Sequence, residues 1–115
     1  MKMLLLSTAA LALLAAPALA ASPAATPRIA LTLKDHRFSP VEIAAPAGVK
    51  LRIDLVNEDG ATEEFDSDDL RVEQMLTPHG RASFTVGPLK PGAYDFMGEL
   101  HADTAQGRIV VAPQS

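Results

Sequence analysis

The sequence predicts an all-β sandwich, and two observations carry that prediction. Apolar and polar residues alternate in several short segments, most clearly at residues 49–55, where Val, Leu, Ile and Leu alternate with Lys, Arg and Asp. Such an alternation buries one face of a strand and leaves the other face in water. Proline and glycine turns separate the segments at short intervals, which is typical of a sandwich or a barrel and not of a βαβ fold.

Each further strand is predicted from the same alternation of apolar and polar residues. The predicted strands lie at residues 29–33, 41–44, 81–86, 93–96 and 107–111. Turn residues mark the gaps at residues 46–48, 58–60, 77–80, 87–88 and 91–92. The apolar residues within 67–76 do not decide between the spacing of a strand and that of a helix. Ser67 could cap a helical turn that begins with Asp68 and Asp69.

The first 20 residues have the features of a secretory signal peptide. Lys2 provides a positive start, residues 4–16 form an apolar run, and the Ala-Leu-Ala of residues 18–20 fits a cleavage site. The apolar run is too short for a good membrane span, so we expect export to the periplasm and no stable membrane insertion after processing. Residues 21–27 are predicted to be a flexible leader, and residues 28–113 a single domain.

The chain is acidic and contains no cysteine. Ten Lys and Arg stand against 14 Asp and Glu, which argues against nucleic acid as a partner. Many of the acids fall between Glu58 and Glu73, either as a solvated face or as an attractor of metal cations. Without cysteine the chain forms no disulfide and offers a metal no thiolate. Ser67 and Ser83 lack the context of a nucleophile and no glycine-rich phosphate loop is present, so no catalytic constellation is visible.

Metal-ligating side chains concentrate in the loop that follows the strand at residues 93–96. His101 lies in this loop, and histidine is the commonest transition-metal ligand. Glu99 is two residues earlier, so in an extended segment both side chains point the same way and can hold one ion. Met97 offers a thioether that would suit reduced copper, although a single methionine more often fills apolar space.

A second group of candidates follows the turn at residues 58–60. Glu64 and Asp66 flank Phe65, which we expect to point inward, so the two carboxylates share the opposite face. Their spacing does not fit the calcium-binding helix–loop–helix signature, and a calcium loop is discounted. Two further histidines lie in turns and are expected to be surface residues: His36 and His79.

Three segments together resemble the cupredoxin-like domain family. They are residues 64–67 with Leu70 and Glu73, then residues 87–96, then residues 98–107. Within that family the chain is most similar to the EfeO-type group, and in particular to the small periplasmic component of bacterial ferrous-iron transport systems. The resemblance implies a cupredoxin-like Greek-key β-sandwich. It also implies two partners, an iron permease and a periplasmic iron-binding protein of the same uptake system.

The resemblance suggests which positions hold a metal. Copper electron carriers of the family use a histidine after the first core strands, then a cysteine, a histidine and a methionine or its substitute in the final loop. Here Glu63 or Glu64 falls near the first histidine position, and Gly98 stands where the cysteine would be. His101 matches the loop histidine, and Gln106 lies near the axial position. Because the thiolate is missing, a blue-copper centre is not expected.

The expected site is therefore built from carboxylates and one imidazole, a set that suits a copper or iron ion. Its candidate ligands, with additional ones last, are Glu64, Glu99 and His101, and then Asp66, Met97 or Glu73. Strand alternation argues against this set of ligands. In a regular strand the side chain of Glu99 points to the face opposite the one that Gly98 shares with the core aromatic residues. A bulge or loop at Gly98 would remove the conflict.

Two functions from different classes fit these observations. In the first, the protein binds a transition metal in the periplasm and assists iron uptake; copper-dependent oxidation of ferrous iron is left open as an accessory enzyme activity. In the second, the chain is an interaction module that kept the sandwich and lost the metal site. It would then dock through its acidic stretch on a transporter or on the periplasmic iron-binding subunit.

Overall fold

The computed structural model describes residues 2–4, 9–14 and 25–113. Within these residues the chain forms nine strands and one short 3-10 helix, and no α-helix. The elements in chain order are β1 (Arg28–Lys34), β2 (Arg37–Ser39), β3 (Glu42–Ala45), β4 (Leu51–Asn57), β5 (Glu63–Ser67), β6 (Val72–Leu76), β7 (Arg81–Val86), β8 (Gly92–Gly98), the 3-10 helix η1 (Glu99–His101) and β9 (Gln106–Val111).

The strands form two sheets with the apolar core between them. One sheet has four strands in the order β2-β1-β4-β7, and the other has five in the order β3-β9-β8-β5-β6. β1 runs parallel to β4 and β3 runs parallel to β9, whereas the other pairs are antiparallel. The predicted all-β sandwich is confirmed.

Residues 67–76, for which the sequence left a helical turn open, form a tight turn followed by β6. Ser67 ends β5, where its Oγ accepts a hydrogen bond from the N–H of Leu70 at 3.0 Å and donates one to the carbonyl of Asp95 at 2.6 Å. Arg71 closes the turn with a φ of 57°. The turn reverses the chain, and β6 then pairs with β5 over all five residues of each strand.

The core is built from alternate residues of each strand. Along β4 every second residue is buried, from Leu51 to Asn57. Phe65 of β5 stacks on Phe96 of β8, with ring centroids 5.0 Å apart. Because Phe65 points into the core, the alternation of β5 also turns Glu63 inward and Glu64 outward. This alternation decides which carboxylate can take part in a buried site.

The predicted signal peptide and leader lie largely outside the described residues, because residues 1, 5–8 and 15–24 are not among them. In the part of the chain that is described, no helix has the length and apolar character needed to cross a membrane.

Candidate metal centre

The centre of the candidate site is a buried carboxylate at the start of β5. Glu63 is 1% exposed, and both of its carboxylate oxygens have partners. Oε1 accepts hydrogen bonds from the backbone N–H groups of Glu64 and Leu100, each at 2.9 Å. Oε2 lies 2.5 Å from Nδ1 of His101. Because an unpaired carboxylate is strongly disfavoured in a core, these three contacts are what allow Glu63 to lie there.

His101 reaches Glu63 from the loop between β8 and β9. It is the last residue of η1, and its carbonyl accepts a hydrogen bond from the N–H of Ala105 at 2.9 Å. Its side chain is 28% exposed, so one edge of the imidazole meets Glu63 while part of the ring stays open to solvent. A carboxylate that engages one ring nitrogen fixes the orientation of the whole imidazole.

A second imidazole joins the site from the turn between β1 and β2. His36 stacks on His101, with ring centroids 3.7 Å apart and ring planes inclined by 13°. Asp35 and His36 both have positive φ angles, 52° and 56°. Two consecutive residues of this kind make the tight hairpin turn whose twist matches the flanking strands. His36, which we expected to be a surface residue without a partner, therefore belongs to the site.

Asp59 anchors this turn from the segment that follows β4. Its Oδ1 accepts a hydrogen bond from the N–H of Asp35 at 2.7 Å, and its Oδ2 accepts one from the N–H of His36 at 2.9 Å. Burial alone would raise the pKa of Asp59. The two backbone N–H groups and the nearby imidazoles of His36 and His101 outweigh burial and hold this pKa below its usual value. A charged Asp59 thus holds the turn that places His36 over His101.

The arrangement can hold a metal ion. His36, Glu63 and His101 each offer one donor atom, and these atoms lie within 4.8 Å of one another. The three residues come from the β1–β2 turn, from β5 and from η1, so the fold brings together donors that are far apart in sequence. Two imidazoles and one carboxylate form a donor set suited to divalent transition metals.

The structure places the other predicted ligands on the outer face of the five-stranded sheet. Asp66 pairs in register with both Met97 and Glu73, and Glu64 is two residues from Asp66 on the same face. All of these side chains alternate away from the core. They therefore lie apart from the group formed by His36, Glu63 and His101.

Glu64 and Glu99, two of the predicted ligands, do meet each other, but on that outer face. The pKa of Glu64 is raised. The largest cause is partial burial, the next is the charge of Glu99, and the third is a side-chain hydrogen bond between the two carboxyl groups. The charges of Glu73 and Asp66 act in the same direction. No bulge interrupts β8, which stays in regular extended conformation as far as Gly98.

Two further candidates, Met97 for its thioether and Gln106 from the family resemblance, also lie outside the group. Met97 is 39% exposed on the outer face. Gln106 donates a hydrogen bond from Nε2 to the carbonyl of Ala102 at 2.7 Å, so its side chain closes the loop between β8 and β9.

Sequence reasoning missed His36 and preferred Glu64 to Glu63. A signal for Glu63 was present, because Glu63 has the same alternation as Phe65 and must share its inward face. No local signal marked His36, since its turn meets η1 only after β1 has paired with β4 and the two sheets have packed together.

The fold is similar to that of two proteins of known structure whose descriptions name copper. Auracyanin A, described as a "blue" copper protein from Chloroflexus aurantiacus, matches with a TM-score of 0.65 and 14% identity, over 76% of this chain and 99% of that chain. The metal-binding domain of the Cu(I)-exporting P-type ATPase CopA of Streptococcus pneumoniae D39, solved with Cu(I), matches with a TM-score of 0.64 and 12% identity, over 75% and 85% of the two chains. At these identities the likeness shows the fold alone.

Sequence comparison gives the family. An uncharacterised protein of Rickettsia prowazekii (strain Madrid E) is 42% identical over 83 residues, which are 72% of this chain and 66% of that protein. The match thus spans just under two thirds of the relative's length. Residues 4–111 match the model of the family described as the cupredoxin-like domain. Because the family model matches most of the chain's length and the structure is a β-sandwich, the chain belongs to the cupredoxin-like domain family.

Proposed function

We propose that this cupredoxin-like protein binds a divalent transition-metal ion through His36, Glu63 and His101. The observation that carries the proposal is a buried carboxylate held against one imidazole while a second imidazole stacks on the first. An apolar residue of similar volume is often at least as stabilising in a core as a buried charged pair. The presence of a buried carboxylate here therefore favours a role in binding.

The donor set favours copper(II) first and iron(II) second. Imidazole nitrogen and carboxylate oxygen suit these ions better than copper(I), which prefers sulfur. The chain has no cysteine, so no thiolate can take part. The descriptions of the two similar structures name copper, and this supports copper as the first choice.

Binding requires two small movements. Metal–donor bonds of about 2 Å place two ligand atoms roughly 3 Å apart. An ion that replaces the proton between His101 Nδ1 and Glu63 Oε2 therefore widens their separation of 2.5 Å. An ion also lies near the plane of each imidazole that binds it, so His36 must tilt out of its parallel stack. The His36 side chain has room to tilt because it is 43% exposed.

Calorimetric titration of the full chain with Cu(II), with Mn(II) and, under anaerobic conditions, with Fe(II) tests the proposal. We expect binding by the wild type, and a loss of affinity of at least about tenfold in His36→Asn, Glu63→Gln and His101→Gln, since each change removes a donor. Asparagine is used at position 36 because it tolerates a positive φ.

His79→Asn is the matched control for His36→Asn. His79 is also a histidine in a turn, with a φ of 54°, but it is not part of the candidate group. The control should bind metal as the wild type does. Equal losses in His36→Asn and His79→Asn, or unchanged binding in Glu63→Gln and His101→Gln, would contradict the proposed site.

We extend the proposal to a role in bacterial iron uptake in the periplasm. Its support is the resemblance of three segments together to the EfeO-type group: residues 64–67 with Leu70 and Glu73, residues 87–96 and residues 98–107. The partners in this role are the iron permease and the periplasmic iron-binding protein of the same system. A finer form of this role is copper-dependent oxidation of ferrous iron. Bound copper(II) would take one electron from each iron(II), and dioxygen, reduced to water by four such electrons and four protons, would be the final oxidant. The rate of Fe(II) loss with copper-loaded wild type, compared with His101→Gln, tests this step.

A second candidate function, an interaction module that needs no metal, is favoured by the acidic outer face. Glu64, Asp66, Glu73 and Glu99 lie together there, and their mutual repulsion contributes to the raised pKa of Glu64. Among the described residues, the ion pairs involve other acids: Glu42, Asp54, Asp59 and Glu63. These four acids take part in none of those ion pairs, and such an acidic cluster fits a basic partner surface.

Binding of the purified iron-binding protein of the same system to this chain separates the two functions. Docking on the acidic face should weaken steeply with salt, weaken in the double variant Glu64→Gln/Glu99→Gln, and ignore a chelator. The matched control is Glu42→Gln, because Glu42 is exposed and already paired with Arg108. Affinity that depends on metal and ignores the outer-face variant would count against the module.

A further inference from the structure

We propose that Gly98 is a positioning residue for the metal centre: the missing β-carbon at this position is what lets the Glu63 carboxylate reach His101. This inference rests on the proposed function for its effect on metal binding. The geometric part of it concerns the metal-free protein and can be tested separately.

Space, and not backbone conformation, explains the glycine. Gly98 has a φ of −90° and a ψ of 105°, which is an extended conformation open to any residue. A β-carbon added to Gly98 would lie 2.7 Å from Cδ and 2.8 Å from Oε2 of Glu63. It would also lie 2.8 Å from the β-carbon of Ala105. The volume in which a side chain at position 98 would begin is thus filled by the carboxylate of Glu63.

Glu63 cannot yield this volume without losing its partners. Its Oε1 is held by two backbone N–H groups and its Oε2 by His101. Its backbone is fixed as well, because Phe65 of the same strand pairs in register with Gly98. A shift that makes room for a β-carbon must therefore pull the carboxylate away from the imidazole.

Residue 98 also limits which donor atoms the site can offer to a metal. An oxygen donor from Glu63 and any donor carried on the side chain of residue 98 compete for the same volume, so the site can use one or the other. Glycine at position 98 selects the carboxylate of β5. In this way a residue without a side chain decides the class of metal that the centre accepts, because oxygen and nitrogen donors favour different ions from those that sulfur favours.

Gly98→Ala tests the positioning role. The readout is the chemical shift of the proton on Nδ1 of His101, observed by proton–nitrogen NMR in metal-free protein. In the wild type the Nδ1 proton should be strongly deshielded by its short hydrogen bond to Glu63. We expect Gly98→Ala to lose this signature and to lower metal affinity at least about tenfold, as removal of a group that orients a ligand does.

Gly107→Ala is the matched control for simple destabilisation. A β-carbon on Gly107 would lie 2.5 Å from Cζ of Phe96, so this substitution also crowds a strand of the same sheet, but away from Glu63. It should reduce stability and leave both the His101 signature and the metal affinity of the folded protein unchanged.

A double variant separates the contact with Glu63 from the contact with Ala105. Gly98→Ala/Ala105→Gly removes the clash between the two β-carbons and keeps the clash with the carboxylate. Part of the lost stability should return, while the His101 signature and metal binding stay lost. If the signature returns together with the stability, Gly98 has only a packing role and the inference is overturned. If the wild type binds no metal but Gly98→Ala still loses the signature, the positioning role holds and the proposed metal function fails.

Discussion

At the scale of single residues, two neighbouring glutamates show how strand alternation assigns roles. Glu63 is buried, with hydrogen-bond partners on both oxygens, whereas Glu64 lies on the outer face beside other carboxylates. The two residues have the same chemistry and differ by one position along β5. Their different surroundings predict a large effect on stability when Glu63 is replaced by alanine and a small one when Glu64 is.

Glu63→Ala should lower the free energy of unfolding by about 2–4 kcal/mol, because it leaves the N–H groups of Glu64 and Leu100 and the imidazole of His101 without their acceptor. Urea denaturation at pH 7 measures this change. Glu64→Ala serves as the control and should stay within about 0.5 kcal/mol of the wild type. Similar losses in both variants would show that the buried contacts contribute little.

At the scale of elements, the outer face of the five-stranded sheet carries repulsion that depends on pH. The pKa of Glu64 is raised in the folded protein, so the folded state binds a proton more readily than the unfolded state. Its contribution to stability therefore falls as pH rises through the range just above the ordinary carboxylate pKa. Glu64→Gln should be more stable than the wild type at pH 7 and equal to it near pH 3. Denaturation at both pH values, at low salt, checks this, and an equal difference at both would contradict it.

The turn between β1 and β2 has the opposite dependence on pH. The pKa of Asp59 is lowered in the folded protein, so its stabilising effect is complete above the ordinary aspartate pKa and is lost as pH falls through the folded value. Asp59→Asn should therefore be less stable than the wild type at pH 6, and the difference should shrink below pH 4. Chemical denaturation across this range is the measurement. A difference that stays constant down to pH 2 would show that the charge of Asp59 is not what holds the turn.

The elements also show how far the sequence alone leads. The pattern at residues 49–55 identified β4, and the same alternation identified five further strands, whereas β2, β5 and β6 were not among the predicted strands. Such patterns can be recognised in the sequence because the alternation of buried and exposed residues along a strand involves only neighbouring positions. The position of His36 against His101 is not local, since it depends on the pairing of β1 with β4 and on the packing of the two sheets. Glu63 is intermediate between these two cases. The alternation of β5 predicts that its side chain points inward, but the sequence does not predict that His101 is its partner.

At the scale of the whole molecule, the proposed ion would tie both sheets together. His36 lies between two strands of the four-stranded sheet, whereas Glu63 and His101 belong to the five-stranded sheet and its loop. Because the unfolded chain has no such site, metal at about 100 times its Kd should raise the free energy of unfolding by about 2.7 kcal/mol. Thermal denaturation with metal and then with excess chelator measures the effect. His101→Gln should show a clearly smaller increase at the same metal concentration, and a rise of the same size in that variant would place the ion elsewhere.

The stack of His36 on His101 has a consequence for the order of events during folding. Its two rings come from near the first and the last strand of the sandwich, and the carboxylate between them in sequence comes from β5. Such long-range contacts close late, after the entropy of the intervening loops has been lost. A half-assembled chain would therefore lack the proposed site, and ion binding would have to await the completed sandwich.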